Sequence, residues 1–164
     1  MLIEFAIALP LLILVFYGLG NVAVKIFALG RIQLADYVLE DEARYVMQRI
    51  TASARAAKNI ECDNDSNLIK IIFHDEEEPR FFLRYKADGR PNYDLYTVHK
   101  NDTYPRNPIT GNNSFGDTTI NYLHSEVDTA KKILRIEFEL QSLVDNHKIK
   151  ITTAIYVPGL EKTQ

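Results

Sequence analysis

The sequence has a single cysteine, Cys62, and therefore no internal disulfide. This excludes the small secreted proteins that disulfides hold together. Seven glycines and six prolines in 164 residues are too few for a collagen-like or mucin-like chain, and a hydrophobic content of 46% excludes a fully disordered one. A formal net charge of -3 also lacks the basic excess typical of broad nucleic-acid binding. This length suits one domain, or a small domain with an appendage.

Recognisable catalytic and metal-binding motifs are also missing. The sequence contains no phosphate-binding loop, no GxSxG motif and no dinucleotide fingerprint. Its four histidines form no HxxH or HxxxH pair, so their spacing predicts no metal site. Asp63, Asp65 and Asn67 alternate like calcium ligands, but Leu68 and His74 stand where such a loop requires Gly and Glu. A solvated loop is the better interpretation, and we expect neither enzymatic activity nor a cofactor.

The start of the chain contains a long run without charge, from Phe5 to Val24. A helix of roughly 20 residues spans about 30 Å, the thickness of a bilayer core. The preceding flank carries Glu4 and no basic residue, which differs from a secretory signal peptide. A buried helix of a large soluble protein is the alternative, but the remaining chain is too small to surround it. The run therefore predicts a membrane-spanning helix, which includes Phe5, Leu12, Leu14, Phe16 and Val24.

Some residues in and beside this run are unusual for a plain anchor. Pro10 removes a backbone donor, and Gly18 and Gly20 weaken the helix locally, although membrane helices tolerate both kinds of residue. Glu4 is a carboxylate at the edge of an apolar segment, where it is costly without a partner. Either it lies at headgroup level, favoured by the helix dipole, or it has a specific cationic partner.

From Arg31 onward the pattern becomes amphipathic. Apolar residues recur at alternating spacings of three and four, which is one face of a helix: Ile32, Ala35, Leu39, Ala43, Val46, Ile50, Ala54 and Ala57. Charged residues, Glu42 among them, are assigned to the opposite face. No proline interrupts residues 11–58, so we predict one nearly continuous helix over residues 2–59. A coiled coil is the competing interpretation of residues 31–58, but the alanine-rich stripe favours packing against a sheet.

The second half of the chain predicts antiparallel strands. Five segments rich in aromatic or branched residues are the expected strands: Leu68–His74, Arg80–Ala87, Tyr93–Lys100, Ile133–Leu140 and Lys148–Val157. The last two alternate most strongly and predict a hairpin. A loop is expected over Cys62–Asn67, and a long surface loop over residues 101–118.

These patterns together predict an α+β fold, with one long N-terminal helix packed on a four- to five-stranded antiparallel sheet. Residues 1–30 form its transmembrane and assembly half. Residues 31–164 form a globular domain, with the amphipathic helix over residues 31–59 and strands and loops over residues 60–164.

The opening LIEFAIALPLLIL and the single long helix before an antiparallel sheet resemble the type IV pilin superfamily. Leu2, Ile3, Glu4 and Phe5 match the hydrophobic-hydrophobic-Glu-hydrophobic core of the processed pilin N-terminus. The variant EFAIALP, with Pro10 six residues after the glutamate, is similar to the Tad-type pseudopilins. Residues 31–57 look more like the larger minor pilins and pseudopilins. The resemblance extends over residues 2–58 and is architectural beyond them.

The resemblance implies a structural subunit, a minor pilin or pseudopilin of a type IV filament, secretion or DNA-uptake machine. Prepilins carry a short basic leader ending in Gly, which a membrane prepilin peptidase cuts before it methylates the new amine. The family's glutamate pairs with the amine of a neighbouring subunit, and Glu4 matches it, with Phe5 and Pro10 beside it as assembly residues. Glu4 stands one position earlier than the family's glutamate, so we expect the mature chain to begin one residue before position 1, or the true start to lie upstream.

The partners implied are other pilin or pseudopilin subunits, the prepilin peptidase, an inner-membrane assembly platform and the lipid bilayer, with no nucleic acid evident. The implied location is the inner membrane, single-pass with the globular domain extracytoplasmic, and after assembly a cell-surface filament or pseudopilus. The alternative is a bitopic extracytoplasmic sensing or ligand-binding domain on an uncleaved anchor. A short basic leader ending in Gly ahead of residue 1 favours the first interpretation, and a longer cytoplasmic segment favours the second.

Overall fold

The computed structural model describes residues 2–73, 79–87, 89–90, 92–99, 107–111 and 118–161, and the side chains of residues 2–6, 99 and 107 are outside this description. It contains one helix, α1 (Leu2–Arg55), and the strands β1 (Ala57–Asp63), β2 (Leu68–Phe73), β3 (Arg80–Tyr85), β4 (Asp94–His99), β5 (Asn107–Pro108), β6 (Thr118–Asp128), β7 (Ile133–Ser142) and β8 (Lys148–Tyr156). The predicted α+β class, a long N-terminal helix with antiparallel strands, is confirmed.

The chain divides into two compact units, Met1–Leu34 and Ala35–Gln164. The first unit is the apolar part of α1. The second unit contains the remainder of α1 and all the strands. The hydrophobic core lies entirely in this second unit.

The strands form two antiparallel sheets rather than the one expected. The first has the order β1-β2-β3-β4-β5 and the second the order β6-β7-β8. The predicted β7–β8 hairpin is present, with Phe138 opposite Ile151 near its middle. The alternation in β7 places Leu134, Ile136, Phe138 and Leu140 in the core, as a strand with one covered face requires.

The two sheets are joined by the turn that follows β1. The side-chain oxygen of Asn67 accepts a hydrogen bond from the backbone N–H of Leu123 at 3.0 Å, and that of Asn64 accepts one from Ser125 at 2.9 Å. These amides satisfy donors at the edge of β6 that would otherwise need a neighbouring strand. Asn67 adopts a left-handed backbone with φ of 50°, which asparagine tolerates better than most residues. The predicted loop over Cys62–Asn67 is therefore confined to its last four residues, since β1 extends to Asp63.

The amphipathic part of α1 covers the sheets with the predicted stripe from Ala35 onward, whereas Ile32, the first residue of that stripe, is 38% exposed. Leu39, Val46 and Ile50 are fully buried and belong to the same core cluster as the strand residues. Glu42 departs from the prediction, because it lies 8% exposed instead of on the solvated face. A buried carboxylate requires polar partners, and the structure supplies them from two other segments, as described below.

The helix ends at Arg55 and not at residue 59. Ala54 and Ala57 are both completely buried, one at the end of α1 and the other at the start of β1. Because these alanines are three residues apart, the helical pattern in the sequence runs on into β1, and the predicted helix end was therefore too late. Because alanine is the strongest helix former, the sequence carries no local signal that the helix stops there.

The prediction also missed β6 and part of the connection before it. A β-bulge at Asn121 shifts the register between Ile120 and Tyr122, so buried positions fall at 118 and 120 and then at 123 and 125. This breaks the alternation that identifies a strand. The predicted surface loop over residues 101–118 is wrong where the structure describes it: residues 107–108 form β5, Ile109 and Thr110 are buried, and Thr118 begins β6. The remainder of that loop lies outside the described residues.

Candidate membrane and assembly surface

The part of α1 from Ile7 to Leu29 has an exposed apolar surface. From Ile7 to Leu29, every large apolar side chain is more than half exposed, and Phe27 is 75% exposed. By length and composition this helix can cross a bilayer. Soluble monomeric proteins rarely expose a continuous apolar surface of this extent. The segment therefore requires apolar surroundings.

Four of the five predicted membrane-spanning residues share this exposure, at 57% for Leu12, 65% for Leu14 and Phe16, and 68% for Val24. A helix turns about 100° per residue, so Leu12 and Leu14 project in directions about 160° apart. A single groove on one partner cannot cover both faces. The apolar surroundings must enclose the helix, as lipid or a bundle of neighbouring helices does.

The residues predicted for assembly lie near the start of α1. Pro10 is within the helix and exposed. It has no N–H to donate to the carbonyl four residues earlier, so that carbonyl lacks its usual helical partner. Glu4 and Phe5 have helical backbone, but their side chains lie outside the described residues. The predicted pairing of Glu4 with a neighbouring subunit therefore stays a prediction.

The glycines of this segment leave open space beside the helix. A Cβ atom built on Gly18, Gly20 or Gly30 meets nothing within 4 Å. Small residues let the backbones of neighbouring membrane helices approach closely. They weaken the helix by about 1 kcal/mol each relative to alanine, which indicates that these positions are not optimised for helix stability alone.

Removing residues 1–34 is expected to convert the protein from membrane-bound to soluble, because the second unit contains the whole core cluster. The measurement is partition between carbonate-washed membranes and the soluble fraction, with tyrosine fluorescence to verify folding. As a control, the full-length Phe16→Ala variant removes one ring but leaves the apolar run, and it should stay in the membrane. Soluble full-length protein, or a truncated protein that aggregates, would contradict the assignment.

A buried polar cluster connects α1, β4 and β6 in the second unit. Glu42 accepts a hydrogen bond from the backbone N–H of Gly111 at 3.0 Å and another from the hydroxyl of Thr118. Burial raises the pKa of the Glu42 carboxyl, and these two hydrogen bonds oppose that rise. The carboxylate thus holds the segment around Gly111 and the first residue of β6 against the helix.

Asp94 is the second buried acid of this cluster, at 1% exposure. Arg90 donates to its Oδ2 at 3.1 Å and to the carbonyl of Gly111 at 3.2 Å. Burial raises the pKa of Asp94, and Arg90 opposes this by hydrogen bond and charge. Oδ1 has no hydrogen-bond partner among the described residues. A Cβ atom added to Gly111 would lie 2.1 Å from this oxygen, so the cluster packs tightly around a glycine.

A second polar group lies at the surface, where α1 meets the turn between β7 and β8. The Nδ1 atom of His147 is 2.5 Å from Oδ1 of Asp36, and one oxygen of Asp145 is near both. The hydrogen bond and charge of Asp36 raise the pKa of His147. The sequence did not predict this group because Asp36 lies 111 positions before His147, and no local motif signals such convergence. The other histidine whose side chain is described, His124, is exposed.

A cleft of about 290 Å³ lies in the second unit, lined by Tyr45, Arg49, Arg80, Phe82, Thr97, Pro108 and Ile109. Its two arginines have protein partners. Arg49 donates to the hydroxyl of Tyr45 at 2.9 Å, and Arg80 donates to the hydroxyl of Ser53 at 2.9 Å. Since both side chains are engaged, their charges do not by themselves indicate a ligand.

The calcium-like segment from Asp63 to Asn67 and the single cysteine also have structural roles. Asp63 accepts hydrogen bonds from the backbone N–H groups of Asp65 and Ser66 at 3.1 and 3.3 Å. With Asn67 bonded to β6, these side chains organise a turn, which agrees with the interpretation as a solvated loop. Cys62 is half-buried, and burial raises the pKa of its thiol, which disfavours the reactive thiolate.

Comparisons with known proteins add no relative: no protein-family model matches the chain, and neither a curated protein nor a solved structure gives a significant match.

Proposed function

We propose that the protein is a structural subunit of a type IV pilin-like filament or pseudopilus. Before assembly the apolar part of α1 holds it in the inner membrane, with the globular unit on the extracytoplasmic side. The observation that carries the proposal is that the two parts of α1 differ in the exposure of their apolar side chains. The residues from Ile7 to Leu29 expose apolar side chains on every face, whereas the residues from Ala35 onward bury a stripe in a folded core.

A filament subunit needs both properties. Its helix must be stable in lipid and must then leave lipid for contacts with other subunits. Apolar side chains on all faces suit both environments, because lipid and neighbouring apolar helices are equally free of water. The opening motif around Glu4 and Pro10, which resembles processed pilins, supports the filament in preference to a simple anchor.

The bitopic sensing or ligand-binding domain remains the contrasting function. It requires the same anchor but no array of subunits. One candidate pocket for it is the cleft beside Arg49 and Arg80, whose guanidinium groups are already hydrogen-bonded to Tyr45 and Ser53. No described feature of the cleft favours a ligand over solvent, so we do not propose this function.

Photo-crosslinking from a residue in the apolar part of α1 distinguishes the filament subunit from the sensing domain. A photoreactive phenylalanine analogue at Phe16, in the native host, is expected to give a ladder of crosslinked oligomers above the dimer, because each subunit of an array contacts several others. The matched control carries the analogue at Tyr156, which is similarly exposed but lies on β8. It should give a weaker ladder or none. Products that stop at the dimer, or crosslinks to lipid alone, would contradict the filament proposal.

A further inference from the structure

Three potential metal ligands from separate parts of the chain converge at one surface point. Asp36 lies on α1, whereas Asp145 and His147 belong to the turn between β7 and β8. One donor atom from each side chain lies within 4.8 Å of the other two. Asp36 and His147 remain 38% and 50% exposed at the side chain, so an ion can reach them from solvent.

The turn that carries two of these ligands is ordered by its own hydrogen bonds. The N–H of His147 donates to Oδ1 of Asp145 at 3.1 Å, and the N–H of Ser142 donates to the carbonyl of His147 at 2.8 Å. Asn146 between them adopts φ of 61°, and its side-chain oxygen accepts from Gln141 at 3.1 Å. The backbone positions of both ligands are therefore fixed before an ion arrives, which lowers the cost of binding it.

The ligand types identify the class of cation. An imidazole with two carboxylates is a donor set that Zn²⁺ and neighbouring transition metals accept, whereas Mg²⁺ and Ca²⁺ prefer oxygen ligands alone. Glu40, one helical turn beyond Asp36, adds a further negative charge to the same side of the helix. The surroundings thus favour a cation at this point.

Asp36 and His147 are hydrogen-bonded to each other, closer together than two ligands of one metal ion. The 2.5 Å between Nδ1 of His147 and Oδ1 of Asp36 is a hydrogen-bond distance. Tetrahedral ligands about 2.1 Å from a zinc ion lie about 3.4 Å from each other. An ion that replaces the shared proton must therefore separate these atoms by about 0.9 Å, which exposed side chains accommodate by rotation.

We propose that Asp36, Asp145 and His147 bind one divalent transition-metal ion of the zinc class, with water completing the coordination. The ion would link the β7–β8 turn to α1. All three ligands lie in the second unit, so this proposal does not depend on the filament proposal.

The test is titration of untagged, chelator-treated full-length protein in detergent with ZnCl2, followed by calorimetry. We expect saturable binding of one Zn²⁺ per chain at this site, a rise in the thermal unfolding temperature, and no comparable response to MgCl2. Cobalt provides a second readout, because its visible absorption reports a nitrogen and oxygen ligand set directly.

His147→Ala is expected to weaken zinc binding by at least about tenfold, since loss of even an outer-shell partner costs about 10–100-fold. It should also remove the cobalt absorption. The matched control is His124→Ala, which removes an exposed histidine from β6 and should leave both responses unchanged. Absence of saturable zinc binding, or equal binding by His147→Ala and the wild type, would overturn the proposal.

Discussion

Gly111→Ala is expected to destabilise the second unit by about 2.5–5 kcal/mol, a large part of the stability of an ordinary domain. Gly111 has φ of 71°, which costs a residue with a Cβ about 1–2 kcal/mol. Its Cβ would also lie 2.1 Å from Oδ1 and 2.7 Å from Cγ of Asp94. The buried carboxylate must then move and lose the hydrogen bond from Arg90, and a hydrogen bond to a charged group contributes about 1.5–3 kcal/mol.

Gly89→Ala is the matched control for the backbone effect. Gly89 has φ of 80°, and a Cβ built on it meets nothing within 4 Å. The Gly89→Ala substitution should therefore lower the free energy of unfolding only by the backbone strain, about 1–2 kcal/mol. In an Asp94→Ala background the clash is absent, so the cost of Gly111→Ala should fall to the same level. Urea unfolding of the detergent-solubilised protein, followed by tyrosine fluorescence, measures all of these variants. Equal losses for Gly111→Ala and Gly89→Ala would show that Asp94 does not restrict this position.

The elements that were predicted correctly are those with an uninterrupted period. The helical stripe through Leu39, Val46 and Ile50 and the alternation in β7 both result from burial of one face. Such a pattern can be recognised in the sequence without knowing which distant residues pack against it. β6 was missed because the bulge at Asn121 changes its phase, and two of its buried positions are the polar residues Thr118 and Ser125. The arrangement of the two sheets was missed because the asparagine side chains that join them, Asn64 and Asn67, bond to residues 61 and 56 positions away, which no local pattern contains.

The polar groups could not be predicted for a different reason. Glu42 lies in a run of charged residues and has the composition of a solvated face, yet Gly111 and Thr118 satisfy its carboxylate. Its partners are 69 and 76 positions away. Asp36 and His147 are similarly distant. Only the apolar segment of α1 could be identified as a candidate functional surface, because its length and lack of charge are local properties.

Glu4→Ala is expected to leave folding and membrane insertion intact but to lower incorporation into filaments by about a hundredfold or more. Glu4 lies in the first unit, and the hydrophobic core lies in the second. Removal of a charge at the edge of an apolar segment eases insertion if it has any effect. In the filament proposal, however, the amine of a neighbouring subunit enters an apolar environment opposite Glu4. Loss of one partner of a buried charge pair costs about 3–5 kcal/mol.

The alternative, a carboxylate at headgroup level, predicts a much smaller effect. The helix dipole contributes at most about 1 kcal/mol to such an exposed acid, so assembly should be nearly normal.

Asp41→Ala is the matched control, because it removes an exposed acid from the same helix in the second unit. The measurement is the ratio of each variant in sheared filaments, or in a co-purified pseudopilus complex, to its level in the membrane. A subunit at a tip has no neighbour ahead of it and tolerates loss of this acid, so the comparison requires filaments in which the wild type occupies the shaft. If Glu4→Ala then enters as efficiently as Asp41→Ala, the pairing of Glu4 is refuted, and the filament proposal depends on the fold and the apolar helix alone.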